Sequence, residues 1–461
     1  MRNSQAKSGG VLGEETFCAS FLLYEKCYNL AVGHNKGIMQ TSSFYHLLDR
    51  TVGWFAVAAA TFTLVGAGEF VTMTALTYWY GYAMLFLFIG LFVPGLIFSG
   101  LAAKKFRSLA EKYDWHSIHD ALHTFHGKPA SVVGMALLVL MLGGALVNQY
   151  VVGGLILSSL LHIPYEAIVI GMAALVTGYI SYFGFKGVLA SDKLQAIAIV
   201  GITAILSYVF FVQPGKSVSF GELPSFFSAP LADYFTFALI GFFGAFGGGD
   251  IWQRLFAARD GRAALWGATG AAGLWLLFGF FFLFFAVAIQ GALPNADPNT
   301  AFIDFVSGMS GWLGAIVATL VFIAVVSTAD IQMFVLSVIL GKEFKRTDGT
   351  ELPIKRTRIL VPLVAVASGI VAVFFSNVAV IYLSFLYLVA TVGFVFAITL
   401  TGRGNMPTAV IGLIGGAIIL FILVAQGIFS GWWPLLLFAP AIPMLFFKNQ
   451  KYTMVMQTDV E

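Results

Sequence analysis

Charge is scarce in this chain: of 461 residues, 10% are Asp, Glu, Lys or Arg, while 59% are hydrophobic. Soluble domains carry nearer a quarter charged residues, so this deficit alone excludes an ordinary soluble protein. Cysteine is scarcer still. Cys18 and Cys27 lie near the N-terminus and offer neither a disulfide framework nor a metal site. Period-two alternation of apolar and polar residues is also missing, which removes an outer-membrane barrel. The opening MRNSQAKSGGVLGEETF lacks the apolar core and cleavage site of a secretory signal. The net charge of +3 points to no nucleic-acid partner, because the basic residues fall in gaps between apolar runs.

Those apolar runs fill the chain. Each is about 20 residues or longer, the length that crosses the hydrocarbon core as a helix. The sequence predicts an all-α polytopic membrane protein with spans at 53–78, 79–103, 130–160, 164–183, 187–213, 232–253, 264–290, 311–341, 357–376, 378–400, 407–427 and 431–447. A weaker thirteenth candidate, 12–33, contains Glu14, Glu15, Glu25 and Lys26, so it reads as a first span, an interfacial helix or a degenerate start. Alternate gaps collect the Lys and Arg residues, among them Lys104, Lys105, Lys128, Lys186, Arg254, Arg259, Lys342, Arg403 and Lys448. Short cytoplasmic loops hold that excess, so the C-terminus is expected in the cytoplasm and the membrane to be the plasma (inner) membrane.

Two spans are interrupted. The first is interrupted at Gly66 to Gly68 and followed at once by Glu69; the sixth is interrupted at Gly247, Gly248 and Gly249 and followed at once by Asp250. Five spans separate the two, the arrangement of a transporter built from inverted repeats whose broken helices bind substrate and ion near the midplane. The plainer reading of each cluster is close helix packing by small residues. The stretch VFIAVVSTADIQMF then sets Ser327, Thr328 and Asp330 inside an apolar run. A dehydrated sodium ion needs several hard oxygens, and hydroxyls with carbonyls from a broken helix supply them. Alternatively both hydroxyls bond back to the preceding turn.

Several motifs resemble the sodium:solute symporter family: VVSTADIQMF its eighth core helix, GFKGVLASDKLQAI its fifth, IWQRLFAARD the end of its sixth, and TSSFYHLLDRTVGWF the approach to its first. The resemblance covers about 35–400. It implies a LeuT-like fold of 12–13 helices with a 5+5 inverted repeat and broken first and sixth core helices. The implied layout is an N-terminal segment 1–50, repeats at 51–213 and 214–400, and peripheral helices at 401–461. By position, the resemblance places a sodium site at the main-chain carbonyls of Phe62, Val65 and Ala324 and the hydroxyls of Ser327 and Thr328. Leu64 stands where proline carriers have an acid, so that contribution is missing. Asp192 matches an acid on the ion's path toward the cytoplasm; its plainer role is pairing with Lys193 or a nearby arginine.

Glu69 falls where family members contact substrate, and an intramembrane acid usually marks a pathway or a ligand partner. A cap at a helix N-terminus is the structural alternative. With Gly66, Gly68, Asn148, Gln149, Gly247 and Gly248 it forms the candidate substrate site, favouring an amine-bearing or zwitterionic solute over a sugar. Asn148 and Gln149 also fit plain interhelical bonding. His116, His119, His123 and His126 share roughly one helix face, a pattern open to metal binding or pH sensing. The resemblance instead implies an interfacial helix with a solvated histidine face and no transition metal. The expected function is sodium-coupled symport with no cofactor beyond the coupling ion, in a monomer or weak oligomer. Proton coupling through Glu69, or a sensor acting through a partner, are the rivals; no motif of a membrane enzyme is present.

Overall fold

The computed structural model describes residues 46–63, 68–212, 229–309, 311–343 and 354–457. Expectations for 12–33 and for Leu64, Val65 and Gly66 lie outside these. Among the described residues the chain is helical almost throughout and forms no β-strand beyond isolated bridges. Lipid offers the backbone no hydrogen-bond partner, so apolar segments of this length satisfy themselves as helices.

The first span is two helices, α1 (Trp54–Phe62) and α2 (Gly68–Tyr80). The second joins α3 (Ala83–Gly90) to α4 (Leu96–Lys112) through a π-helical turn, Leu91–Gly95, that contains Pro94. Proline has no N–H and crowds the preceding turn, and the wider turn absorbs both effects. Next come α5 (Ile118–His126), α6 (Lys128–Leu161), α7 (Tyr165–Phe183) and α8 (Phe185–Phe211). The second half runs through α9 (Leu231–Gly247), α10 (Gly249–Ala257), α11 (Gly261–Ala292), α12 (Ala301–Ser307), α13 (Gly311–Glu343), α14 (Ile354–Phe374) and α15 (Val378–Leu400). After α16 (Met406–Ala425) the chain ends its described part in a 3-10 helix, Trp433–Phe446, and α17 (Gln450–Gln457).

Eight described helices are long and apolar enough to cross a membrane, and the α9/α10 pair, bent by 46°, makes a ninth. The final expected span, 431–447, is 3-10 rather than α. Pro434, Pro440 and Pro443 deny it the α-helical bonding pattern. At roughly 2.0 Å rise per residue, its 14 residues reach about 28 Å, near the hydrocarbon thickness, which the same number in α-helix would not. At the centre of the fold, α13 packs against α6, α8 and α14, while α9 packs against α15 and α3.

The expectation of a solvated histidine face is overturned. His116, His119 and His126 are buried and His123 is half-buried. A reciprocal cap between Ser117 and Asp120 starts α5, whose apolar side then packs on α6 and draws the imidazoles inward. Each buried ring finds a polar neighbour: Lys342 Nζ donates to His116 Nδ1 at 2.7 Å, and His126 Nε2 meets Thr399 Oγ1 at 2.8 Å. Burial, reinforced by the Lys342 ammonium, pushes the His116 imidazole well below its usual pKa.

Candidate functional site

Four helices bring polar side chains together where α1 stops. Thr63 closes that helix: its N–H bonds the Ala59 carbonyl at 3.1 Å and its hydroxyl donates to the Ala60 carbonyl at 2.8 Å while lying against Asp192. Asp192 projects from α8, fully enclosed, and accepts from Arg254 Nη2 of α10 at 3.2 and 3.4 Å. Ser327 of α13 donates to the same carboxylate at 3.4 Å. Thr328 beside it donates back to the Ala324 carbonyl at 3.0 Å and accepts from Gln195 Nε2 at 3.0 Å.

The lone pairs define what this group is able to hold. A hydroxyl has one proton and two acceptor positions. Ser327 spends its proton on Asp192 and keeps both acceptor positions, and Thr328 keeps one. A helix C-terminus leaves its last carbonyls without intrahelical partners, and α1 ends here, with Thr63 taking up those of Ala59 and Ala60. Phe62, despite its bulk, leaves that place clear: its ring is buried against α11, 5.3 Å from Trp275 and 5.1 Å from Phe278. Val65 lies outside the described residues.

A second buried acid accompanies the first. Asp330 accepts from the hydroxyls of Tyr179 and Ser191, and its other oxygen has no partner among the described residues. Arg254 is paired with Asp192, whereas Asp330 is met by hydroxyls. Sequence reading missed this arginine's place. Arg254 was expected in a cytoplasmic gap, yet it is buried within the bundle because α10 continues the sixth span past its bend. Thr63, Gln195, Tyr179 and Ser191 were missed too; nothing in their local sequence marks a partner on another helix.

The substrate candidates gather separately. Glu69 is the second residue of α2, buried, with the Tyr382 hydroxyl of α15 facing its carboxylate as donor. One turn on, Thr72 accepts from Asn148 Nδ2 of α6 at 3.4 Å. Glu69 Oε2 and Asn148 Oδ1 have no partner among the described residues, and neither do Gln149 Oε1 and the Tyr150 hydroxyl. Gly68 begins α2, and Gly66 lies outside the described residues.

Gly247 and Gly248 sit at the α9/α10 bend. Gly248 adopts an extended conformation with ψ 99°, which interrupts the helix. The interruption leaves little unsatisfied: the Trp252 indole donates to the Phe246 carbonyl at 3.0 Å and Ser99 to the Ala245 carbonyl at 3.2 Å. Gly247 lies flush on α15, where a Cβ would come within 1.8 Å of the Val389 carbonyl oxygen. Gly249 faces Leu138 and Leu142 of α6. Seven residues separate Val389 from Tyr382 and six separate Leu142 from Asn148, so Glu69 lies about 10 Å along the bundle from this bend, away from the Lys128 end.

Comparison with known proteins agrees with this architecture. The model of the sodium:solute symporter family matches residues 45–416. Over 178 residues the chain is 26% identical to the sodium/pantothenate symporter of Escherichia coli (strain K12); the match covers 38% of this chain and 36% of that protein, so the chain spans about a third of this relative's length. The solved structure of a Na+-coupled sialic acid symporter, in a substrate-bound outward-open state, superposes with a TM-score of 0.66 at 14% identity, covering 96% of this chain and 98% of that one. That likeness shows the fold, an all-helical LeuT-like bundle with its first and sixth core helices broken. Matched over most of its length, the chain is a multi-pass integral membrane protein that belongs to the sodium:solute symporter family, a family of transporters and not of enzymes.

Proposed function

We propose that the protein is a secondary active transporter that couples sodium to the movement of a small organic solute by alternating access. The observation that carries this reading is the meeting of Ser327, Thr328, Asp192 and the end of α1 in one buried, acceptor-rich group. In this reading sodium binds the two hydroxyls with the Ala324, Phe62 and Val65 carbonyls, and Asp192 draws the ion inward. Related proteins carry pantothenate and sialic acid by name, so the family places no single solute here. The acid at Glu69 supports an amine-bearing solute over a sugar.

The two interrupted spans support repeats at 51–213 and 214–400. The basic ends of α4, α6 and α13 support a cytoplasmic face there and a plasma-type membrane, with the C-terminus on the same side. Each positive charge carried inward gains about 2.3 kcal/mol per 100 mV of membrane potential, in addition to its concentration gradient.

Thermal stability of the purified protein in sodium against potassium tests the ion site. A ligand that binds only the folded state raises stability by mass action. Sodium is expected to raise the midpoint where potassium does not, and Ser327→Ala and Thr328→Ala to remove that difference. A shift that survives both substitutions sinks the assignment. A shift that depends on pH instead of sodium and vanishes in Glu69→Gln would favour proton coupling.

A further inference from the structure

The orphaned atoms around Glu69 describe the missing ligand. Glu69 is 5% exposed and Asn148 0%, and the atoms they leave open, Oε2 and Oδ1, are both acceptors. Asn148 already spends an N–H on Thr72, and Tyr382 already points its hydroxyl at the carboxylate. These two donors are therefore turned away from Glu69 Oε2 and Asn148 Oδ1, which stay open as acceptors beside the unpartnered Tyr150 hydroxyl. A capping role for Glu69 at the start of α2 explains an acid at that position. It leaves Glu69 Oε2 and Asn148 Oδ1 without donors, and buried polar atoms of native proteins find partners.

Positive charge is equally short. Helices α2, α9, α12 and α15 contain no Lys or Arg. On α6 and α13 the basic residues are Lys128 and Lys342, at the far ends from Asn148 and from the bundle's other half. Arg254 is bonded to Asp192. Among the described residues, a carboxylate brought to Glu69 would meet another carboxylate and no cation from these helices, and an unpaired buried charge is costly.

We propose that the site at Glu69 and Asn148 takes a solute bearing a protonated amine or guanidine with N–H bonds to donate and no carboxylate. Amino-acid zwitterions fail for want of a cationic partner, and quaternary ammonium ions fail because they have no N–H for Asn148 Oδ1. The inference rests on the transporter reading, since a carrier must open this buried site to solvent, and it narrows the amine-bearing class to cations.

The test compares each amino acid with the amine that remains when its carboxylate is removed. The probes are agmatine against arginine, tyramine against tyrosine, isobutylamine against valine and ethanolamine against serine, with choline as the quaternary counterpart of ethanolamine. Binding to the purified full-length protein is read as a concentration-dependent thermal shift, in sodium and in potassium. At least one amine is expected to bind about 100-fold or more tightly than its amino acid, equivalent to about 2.8 kcal/mol. Glu69→Gln should abolish that binding while leaving the sodium shift in place. An amino acid that binds as well as its amine, a choline shift matching ethanolamine, or no amine shift in any pair overturns the proposal. Loss of the sodium shift in Glu69→Gln also overturns it, by making Glu69 an ion ligand. The paired comparison uses wild-type protein and stands even where the variant does not fold. A sodium shift absent without any solute speaks against the coupling reading separately.

Discussion

The pair Asp192 and Arg254 shows how far a single residue's role depends on its partner. Asp192 was visible in the sequence as an acid in an apolar span, but its partner lies 62 positions away, on the second half of the bent sixth span. Fully buried pairs hold each other's charge, and removing one member leaves the other uncompensated. Arg254→Gln should therefore destabilise the fold by about 3–5 kcal/mol, read as a lowered thermal midpoint in detergent. Arg254→Gln combined with Asp192→Asn should recover most of that loss, because neither member of the pair is left charged without the other; a double variant no better than the single would dismiss the pair as the cause. Ser327 and Thr328 were legible for the opposite reason. Hydroxyls inside an apolar run stand out whatever they touch, although only the structure gives one to Asp192 and the other to Ala324 and Gln195.

At the scale of elements, the glycines at the α9/α10 bend divide two jobs that the sequence presented as one. Gly248 makes the bend, while Gly247 allows α9 to lie against α15, where Gly393 returns the contact with a Cβ position 1.8 Å from the Phe243 carbonyl oxygen. Backbone atoms cannot step aside as a flexible side chain can. Gly247→Ala and Gly393→Ala are each expected to cost about 1–3 kcal/mol or to prevent assembly. Their combination should cost less than the sum, since either one already parts the helices. Equal midpoints for wild type and Gly247→Ala would mean the approach is looser than described. The short turn Leu48–Arg50 is a second element the sequence concealed. Its three residues have positive φ, 50°, 49° and 56°, a left-handed turn that L-residues adopt at a cost. Arg50 holds it by donating to the carbonyls of Phe256, Ala110 and Trp115 at 3.0, 3.2 and 3.0 Å, just ahead of α1.

Over the whole molecule, the basic end of the bundle is tied by buried polar contacts whose strength depends on pH. His126 joins three parts of the chain: Nε2 donates to Thr399 of α15, while Nδ1 accepts from Asn449 ahead of α17 at 3.4 Å. Thr399 gives its own proton to Val395, and the Asn449 carbonyl oxygen accepts from Tyr452, so these bonds fit a neutral ring. Burial first, and then the Lys451 ammonium, lower the His126 pKa from 6.5 to about 4. The folded state disfavours the proton that the unfolded chain binds. This contribution is thus full above about pH 6.5 and is lost as pH falls toward 4, a swing on the order of 3 kcal/mol. The thermal midpoint of the wild type should fall across that window, and its advantage over His126→Gln should shrink with it. An advantage that stays constant from pH 7 to pH 4.5 would rule this out.

By itself the sequence determined the class of protein, the succession of spans, the two interruptions and the hydroxyl pair on the eighth core helix. Each follows from a local rule: hydrocarbon forces a segment of sufficient length to close its own hydrogen bonds, and any departure from apolar composition inside it is conspicuous. Tertiary structure decided the rest. It placed Arg254 inside rather than in a loop, buried the histidines of α5, wound the last span as a 3-10 helix, and set Glu69 against Tyr382. Those outcomes depend on which helices touch and on how many donors and acceptors meet there, and partners far apart in the chain leave no periodic trace in either segment.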